Sequence, residues 1–454
     1  MELSGKNVLV FGAGVSGFSA AKTLLEQKAR VTLADGKKQN ELKHAEGMDE
    51  LVGKIELALG QQDETLLDGK ELLILSPGIS INHVLPQAAL RRQIPVWGEV
   101  ELAGRLCKAP IAAVTGTNGK TTTTTLLGEM MKTKYAEVVI GGNIGVGLAQ
   151  AASRVSAQGY AVAEISSFQL EAVGTFRPHI AVVLNLTPDH IDRHGSFAGY
   201  GTVKEQIFAN QEPQDYLVLN QDDENVKAMA NRCRSQAFFF SRRAELEAGA
   251  FVSDGSICLR WQGKTAVVCR VDEMKLFGGH NVENALAACA AAYLAGVDPQ
   301  QMATVLREFT GVEHRIEPVA LLDGVRWYND SKATNPESSI KALEAFAGHV
   351  VLIAGGRDKN TDLSEFASLI KAKVELLILI GEAAERFEAA ARGAGVEKIV
   401  RAASLAEAVE IARQSAKSPQ VVLLSPACAS YDMFDNYEQR GEIFKQLVRQ
   451  GAVG

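Results

Sequence analysis

No stretch of this 454-residue chain approaches the roughly 18 uninterrupted apolar residues that a membrane-crossing helix requires. The opening "MELSGKNVLV" lacks a basic region followed by a long apolar one, so no signal peptide is expected. Cysteine is sparse and dispersed. Cys107, Cys233, Cys258, Cys269, Cys289 and Cys428 form no C-x-x-C pair, and free, mostly buried thiols in a reducing cytoplasm fit that pattern. Positive charge is not in excess. A formal net charge of −7 makes nucleic acid and anionic membrane poor default partners, although a local basic site can still hold phosphates. Internal repeats are absent.

What remains is an ordinary globular composition, 46% apolar and 22% charged, on a chain too long for one core. Short apolar runs alternate with helical patterns. Val8–Phe11, Val31–Ala34, Leu72–Leu75, Ile111–Val114, Val138–Ile140, Ala161–Ala163, Ala181–Leu184, Val350–Ala354, Leu376–Ile380 and Val421–Leu424 read as strands. Most are separated by enough chain for a crossover helix, which makes the class α/β. Pro95 and Gly98 punctuate a first boundary, and a second falls before "EHRIEPV". The expected domains are 1–96, 97–311 and 312–454. The middle one carries β-type runs between Ala237 and Val271 and an alanine-rich helix, "NVENALAACAAAYLAG". A last helix near Tyr437–Val448 should pack on the third sheet.

Two phosphate loops stand out. The first, "GAGVSG" at residues 12–17, follows an apolar strand, and Asp35 ends the next one. That is the arrangement of a dinucleotide site. The second lies in "AVTGTNGKTTTTTLL", where Gly116, Thr117, Asn118 and Gly119 lead into Lys120, Thr121 and Thr122 at a helix start. Glycines there let backbone N–H groups converge on phosphate, and the helix terminus adds positive potential. Lys120 adds a full charge, and the Thr121 hydroxyl suits Mg²⁺. Val114 stands where a standard P-loop has glycine, so the loop is a variant. A dehydrogenase would use the first loop and has no use for the second.

Downstream, Glu164 ends a strand in "AVAEISSFQLE", and Asp189 and His190 follow another in "AVVLNLTPDHIDRHG". Ligands of open parallel sheets gather at the carboxyl ends of strands, so the second loop, Glu164 and His190 converge on one crevice. A hydroxyl, a carboxylate and an imidazole there suit one or two Mg²⁺ ions against a triphosphate. Taken singly, Glu164 serves equally as a helix-capping acid and His190 as a histidine bonded to backbone.

The serial motifs "VTGTNGKTTT", "EISSFQLE", "NLTPDHIDRH", "GGHNVENALAA", "EHRIE" and "NDSKATNP" resemble those of the Mur ligases, ATP-dependent amide-forming enzymes of peptidoglycan precursor synthesis. "SPGI", "WGEVEL" and "LLSPACASYDMFDNYEQRGEIF" are similar to the branch that adds D-glutamate to UDP-N-acetylmuramoyl-L-alanine. The resemblance covers the chain in order. It implies a Rossmann-like UDP-sugar domain, a P-loop-type central ATP/Mg²⁺ domain, and a Rossmann-like C-terminal domain that closes over ATP and binds D-glutamate. Each has a mainly parallel sheet flanked by helices.

It also implies roles. Thr121, Glu164, His190 and Lys204 would hold two Mg²⁺ ions, with Lys204 carbamoylated by CO₂. Asn281 would read the adenine and Asn284 help hold the nucleotide. His314 and Asp330 would serve the nucleotide, Asp330 at the ribose, while Arg315 and Lys332 reach the phosphates and reacting centre. Thr334, Lys359, Ser430 and Tyr431 would form the amino-acid pocket, with Tyr437 close by. Val15, Ser16, Asp35, Lys37, Ser76, Pro77 and Gly78 would meet the uridine diphosphate, and Asn143 and Gln169 the muramoyl part. The implied reaction activates a carboxylate as an acyl phosphate, which the amine of D-glutamate attacks, leaving ADP and phosphate. A cytoplasmic monomer is expected. Other readings are a sibling ligase such as a folylpolyglutamate synthase, an NAD-dependent dehydrogenase, and a nucleotide-binding switch without chemistry.

Overall fold

A computed structural model describes residues 2–38, 51–276, 278–358 and 362–450. The chain forms two compact units, Met1–Phe309 and Thr310–Gly454.

The first unit contains two sheets. Five parallel strands, β1 (Asn7–Phe11), β2 (Arg30–Asp35), β3 (Glu56–Leu59), β4 (Leu72–Leu75) and β5 (Val96–Gly98), lie in the order 3-2-1-4-5. This is a doubly wound order, which places a ligand crevice at the carboxyl end of β1 where the connections reverse direction. "GAGVSG" lies there. A Cβ on Gly17 would fall 1.8 Å from the Gly12 carbonyl oxygen, so only glycine lets the helix Val15–Glu26 start against the strand end.

The second sheet holds nine strands: β6 (Ile111–Thr115), β7 (Val138–Gly142), β8 (Tyr160–Glu164), β9 (Ile180–Val183), β10 (Tyr216–Asn220), β11 (Gln236–Ser241), β12 (Gly249–Ser253), β13 (Ser256–Trp261) and β14 (Lys264–Arg270). Their order is 14-13-12-11-10-9-6-8-7. The strands from β7 to β12 pair in parallel, and the β12–β13–β14 meander is antiparallel. Strand β6 is central and buried throughout, which explains its unbroken apolar run. The helix Gly279–Leu294 buries ten residues against this sheet, and its alanines permit that close approach.

The second unit has one six-stranded sheet: β15 (Glu317–Leu322), β16 (Val325–Asn329), β17 (Val350–Gly355), β18 (Val374–Ile380), β19 (Ile399–Arg401) and β20 (Val421–Leu424). The order is 15-16-20-17-18-19, parallel except for the β15–β16 hairpin. The final helix, Tyr437–Gln450, buries Phe444 and Val448 against it. The architecture is thus the expected α/β one, three mainly parallel sheets flanked by helices. Strands β3, β5, β10, β12, β15, β16 and β19 lie outside the runs read from the sequence. Several of these carry alternating or partly exposed residues, so their apolar signal is diluted. No helix among the described residues is long and apolar enough to cross a membrane.

Candidate active site

The second glycine loop runs from the end of β6 into the helix Lys120–Lys132. Gly119 caps that helix in the left-handed region, φ 84°. Asn185 braces the loop from outside. Its backbone carbonyl accepts from Thr117 N at 3.0 Å and its side chain from Asn118 N at 2.8 Å. The Lys120 Nζ folds onto the loop and donates to the Gly116 and Thr117 carbonyls at 3.0 and 2.8 Å. Thr121 is buried at the helix start. Asn284 reaches the same helix, accepting from Thr123 Oγ1 at 3.3 Å and donating to Asn281 Oδ1 at 3.1 Å.

Lys204 comes from the helix Phe197–Glu205 and is 1% exposed. Its Nζ donates to the Gly116 carbonyl at 2.9 Å and lies 3.4 Å from Thr115 Oγ1. One carbonyl therefore faces two amines. Burial, and next the Lys120 charge, hold the Lys204 amine well below the usual lysine range, against a smaller opposing pull from Asp189. Tyr200, one turn earlier, places its ring 4.7 Å from that amine and its hydroxyl 3.2 Å from Thr117 Oγ1.

Glu164 ends β8, the strand next to β6, and is buried. Its Oε1 accepts from Asn143 Nδ2 at 2.8 Å, while Oε2 is buried with no hydrogen-bond partner among the described residues. A buried carboxylate oxygen without a donor, at the end of a strand beside a phosphate loop, is what a divalent cation would satisfy. His190 sits in the left-handed region, φ 50°, a conformation rare for a non-glycine residue. Its ring packs 4.7 Å from Phe168 and its Nε2 lies 3.5 Å from Asp189.

At the first loop, the Asp35 carboxylate accepts from the backbone N–H groups of Ala13 at 2.7 Å and Lys37 at 2.8 Å. It braces the loop. Ser76 does the same from the other side, donating to the Gly12 carbonyl at 2.7 Å. Val15, Lys37 and Gly78 are exposed, with Ser16 and Pro77 half-buried between them. Gln169 is buried, and its side-chain oxygen accepts from Ser166 N and Oγ, closing the cap of the helix Ser167–Leu170.

In the second unit, His314 is buried, with Nδ1 2.9 Å from Asn329 Nδ2 and its ring edge-on to Tyr437 at 6.1 Å. Arg315 is exposed beside it. Asp330 is buried; it accepts from Ser425 Oγ at 2.7 Å and Ile316 N at 3.2 Å. Burial pushes its carboxyl up to about 7. Lys332 Nζ lies 5.9 Å from the Tyr437 ring. Ser430 is buried, Thr334 half-buried, and Tyr431 is 67% exposed. Lys359 lies outside the described residues.

Comparison with known proteins follows the same division. Residues 6–98 match the Mur ligase MurD-like N-terminal domain, residues 114–292 the Mur ligase middle domain, and residues 314–428 the Mur ligase glutamate ligase domain. The chain is 47% identical over 447 residues to the UDP-N-acetylmuramoylalanine–D-glutamate ligase of Pelotomaculum thermopropionicum, covering 98% of each chain. It is 46% identical over 453 residues to the enzyme of the same name from a Thermoanaerobacter species, covering 99% of each.

The chain belongs to the Mur ligase family.

Its fold is also that of a solved family member, the UDP-N-acetylmuramate–alanine ligase of Thermotoga maritima. The TM-score is 0.58 at 18% identity, over 99% of this chain and 100% of that one. In this Mur ligase, three supporting residues escaped the sequence reading. Tyr200 was findable, since it lies four positions before Lys204 and so on the same helix face. Arg440 is 0% exposed and forms no ion pair with a carboxylate among the described residues. It donates to Ser331 Oγ at 2.9 Å and to the carbonyls of Ser331, Cys428 and Ala429. It thereby ties the "NDSKATNP" turn to the "PACASY" loop. Arg193, within "DHIDRHG", is the third.

Proposed function

We propose that this Mur ligase joins D-glutamate to UDP-N-acetylmuramoyl-L-alanine through an acyl phosphate, converting ATP to ADP and phosphate, in peptidoglycan precursor synthesis. The observation that carries this reading is the buried Lys204 amine against the phosphate loop, with a Glu164 oxygen left without a donor among the described residues at the end of the strand paired with β6, in a chain similar end to end to D-glutamate ligases. Within the unit Met1–Phe309, the first loop receives the uridine diphosphate and the second the ATP phosphates, with Asn281 and Asn284 at the nucleotide. Lys120 exchanges its two loop carbonyls for phosphate oxygens, a stronger charge-assisted bond.

A neutral amine is the form that attacks CO₂. Lys204 held below its usual range supplies that form: the N–C bond forms, one proton leaves to solvent, and a carbamate anion remains. The carbamate, Glu164, Thr121 and His190 are the residues that would hold Mg²⁺, which neutralises phosphate charge during transfer. His190 stabilises the tetrahedral centre formed when the D-glutamate amine attacks the acyl phosphate. Thr334, Lys359, Ser430 and Tyr431 receive the amino acid, Tyr437 stands beside it, and Arg315 and Asp330 serve the nucleotide with His314.

The test is phosphate release with ATP, UDP-N-acetylmuramoyl-L-alanine and single D- or L-amino acids. Release with D-glutamate alone is expected, and release that ignores amino-acid identity overturns the reading. In the same assay Lys204→Ala should lose about 100-fold or more in turnover. Partial recovery is expected with added short carboxylic acids, which replace the carbamate oxygens.

A further inference from the structure

We infer that Arg193 is a positioning residue that locks the sugar-nucleotide loop Ser76–Ile79 to the His190 turn, so that loop and imidazole are held as one piece. The inference rests on the function proposed above. Arg193 sits on the short helix Ile191–His194, directly after His190. Its guanidinium donates to three consecutive carbonyls of the loop: Pro77 and Ile79 at 3.1 Å and Gly78 at 3.3 Å. It also pairs bidentately with Glu171, Nε to Oε1 at 2.9 Å and Nη2 to Oε2 at 2.8 Å. Its Cζ lies 4.7 Å from the Phe168 ring centre.

These contacts join parts that the proposed chemistry needs together. Ser76, Pro77 and Gly78 belong to the uridine diphosphate side, and Ser76 itself holds the Gly12 carbonyl of the first phosphate loop. Phe168, under the guanidinium, is the ring on which His190 packs at 4.7 Å. Glu171 follows the helix Ser167–Leu170, which begins just past Glu164. The Arg193 backbone N–H returns to the His190 carbonyl at 3.1 Å.

Three carbonyl oxygens directed at one point repel one another unless a cation lies between them. The planar fork of arginine supplies donors to all three and to a carboxylate at once, which one ammonium cannot do. Arg193 and Glu171 are 17% and 10% exposed at the side chain, so solvent competes poorly for these bonds. A cavity of only about 10 Å³, room for roughly one water, remains between the loop and Phe168–Ala172. On that side the loop packs with little void. The Arg193 guanidinium is engaged by the loop carbonyls, Glu171 and Phe168, so it acts through the loop and through Phe168.

Steady-state kinetics of Arg193→Met and Arg193→Lys test this. Methionine keeps apolar contact with Phe168 and removes every donor. The KM for UDP-N-acetylmuramoyl-L-alanine should rise at least about tenfold, while the KM values for ATP and D-glutamate stay within about threefold. Lysine should fail to restore the wild-type KM, and it decides the matter if the methionine variant does not fold. An unchanged KM for the sugar nucleotide, a lysine variant equal to wild type, or an equal loss toward all three substrates overturns the inference. Wild-type protein inactive on the sugar nucleotide would sink the proposed function as well; active wild type with an indifferent variant sinks this inference alone.

Discussion

Glu99 has a buried carboxyl at the start of the helix Glu99–Leu106, where the first sheet gives way to the second. Oε1 accepts from Ala149 N at 2.6 Å and from Ser19 Oγ at 3.3 Å, while Oε2 has no hydrogen-bond partner among the described residues. Burial pushes the group up to about 7, against the smaller pull of those two hydrogen bonds. Between the unfolded value of 4.5 and about 7, the folded chain keeps a proton that the unfolded chain has released. Stability therefore falls as pH rises through that window and levels off above it. Glutamine at this position does not ionise. Urea unfolding should show Glu99→Gln gaining about 2–3 kcal/mol on wild type between pH 5 and pH 8. A difference that does not change with pH would exclude a buried ionisation here.

The element proposed to bind the nucleotide is the turn from β6 into the helix Lys120–Lys132. Its geometry depends on a residue at φ 84° whose added Cβ would meet Asn284 Oδ1 at 2.2 Å. Gly119→Ala then faces two costs, the left-handed backbone at about 1–2 kcal/mol and displacement of Asn284 from the helix. Calorimetric titration with ADP should show affinity reduced about tenfold or more, with UDP affinity unchanged because the first loop belongs to another sheet. Loss of UDP affinity to the same degree would mean that the substitution disturbs the unit as a whole. This turn was legible in the sequence because strand, glycines, lysine and helix start are contiguous. The brace from Asn185, some 70 residues on, was not.

At the scale of the molecule, each compact unit has its own core. Trp97 and Trp261 belong to Met1–Phe309 and Trp327 to Thr310–Gly454, where it is buried against Phe444. Two cores permit two unfolding steps. In a Trp97→Phe/Trp261→Phe protein, fluorescence from Trp327 should report a midpoint different from that of the far-ultraviolet circular dichroism, which follows both units. A single coincident transition by both probes would show that the units unfold together.

Local order was readable without coordinates. The strand–loop–helix of "VTGTNGKTTT", the apolar run of β6 and the strand-ending Glu164 all express short-range rules of period, glycine freedom and helix capping. Tertiary structure decided which polar groups are left without water. Lys204 in sequence is one helix lysine among many; only packing against the Gly116 carbonyl and beside Lys120 deprives its charge of solvent and lowers its affinity for a proton. Asp35 read as a ligand-facing acid, and the structure adds that each of its oxygens also accepts from a backbone amide. Arg193 and Arg440 drew no reading from the sequence, and in the structure they are the donors that gather carbonyls from loops distant in sequence. Hydrogen-bond satisfaction and desolvation depend on neighbours far along the chain, so spacing along the sequence does not reveal them.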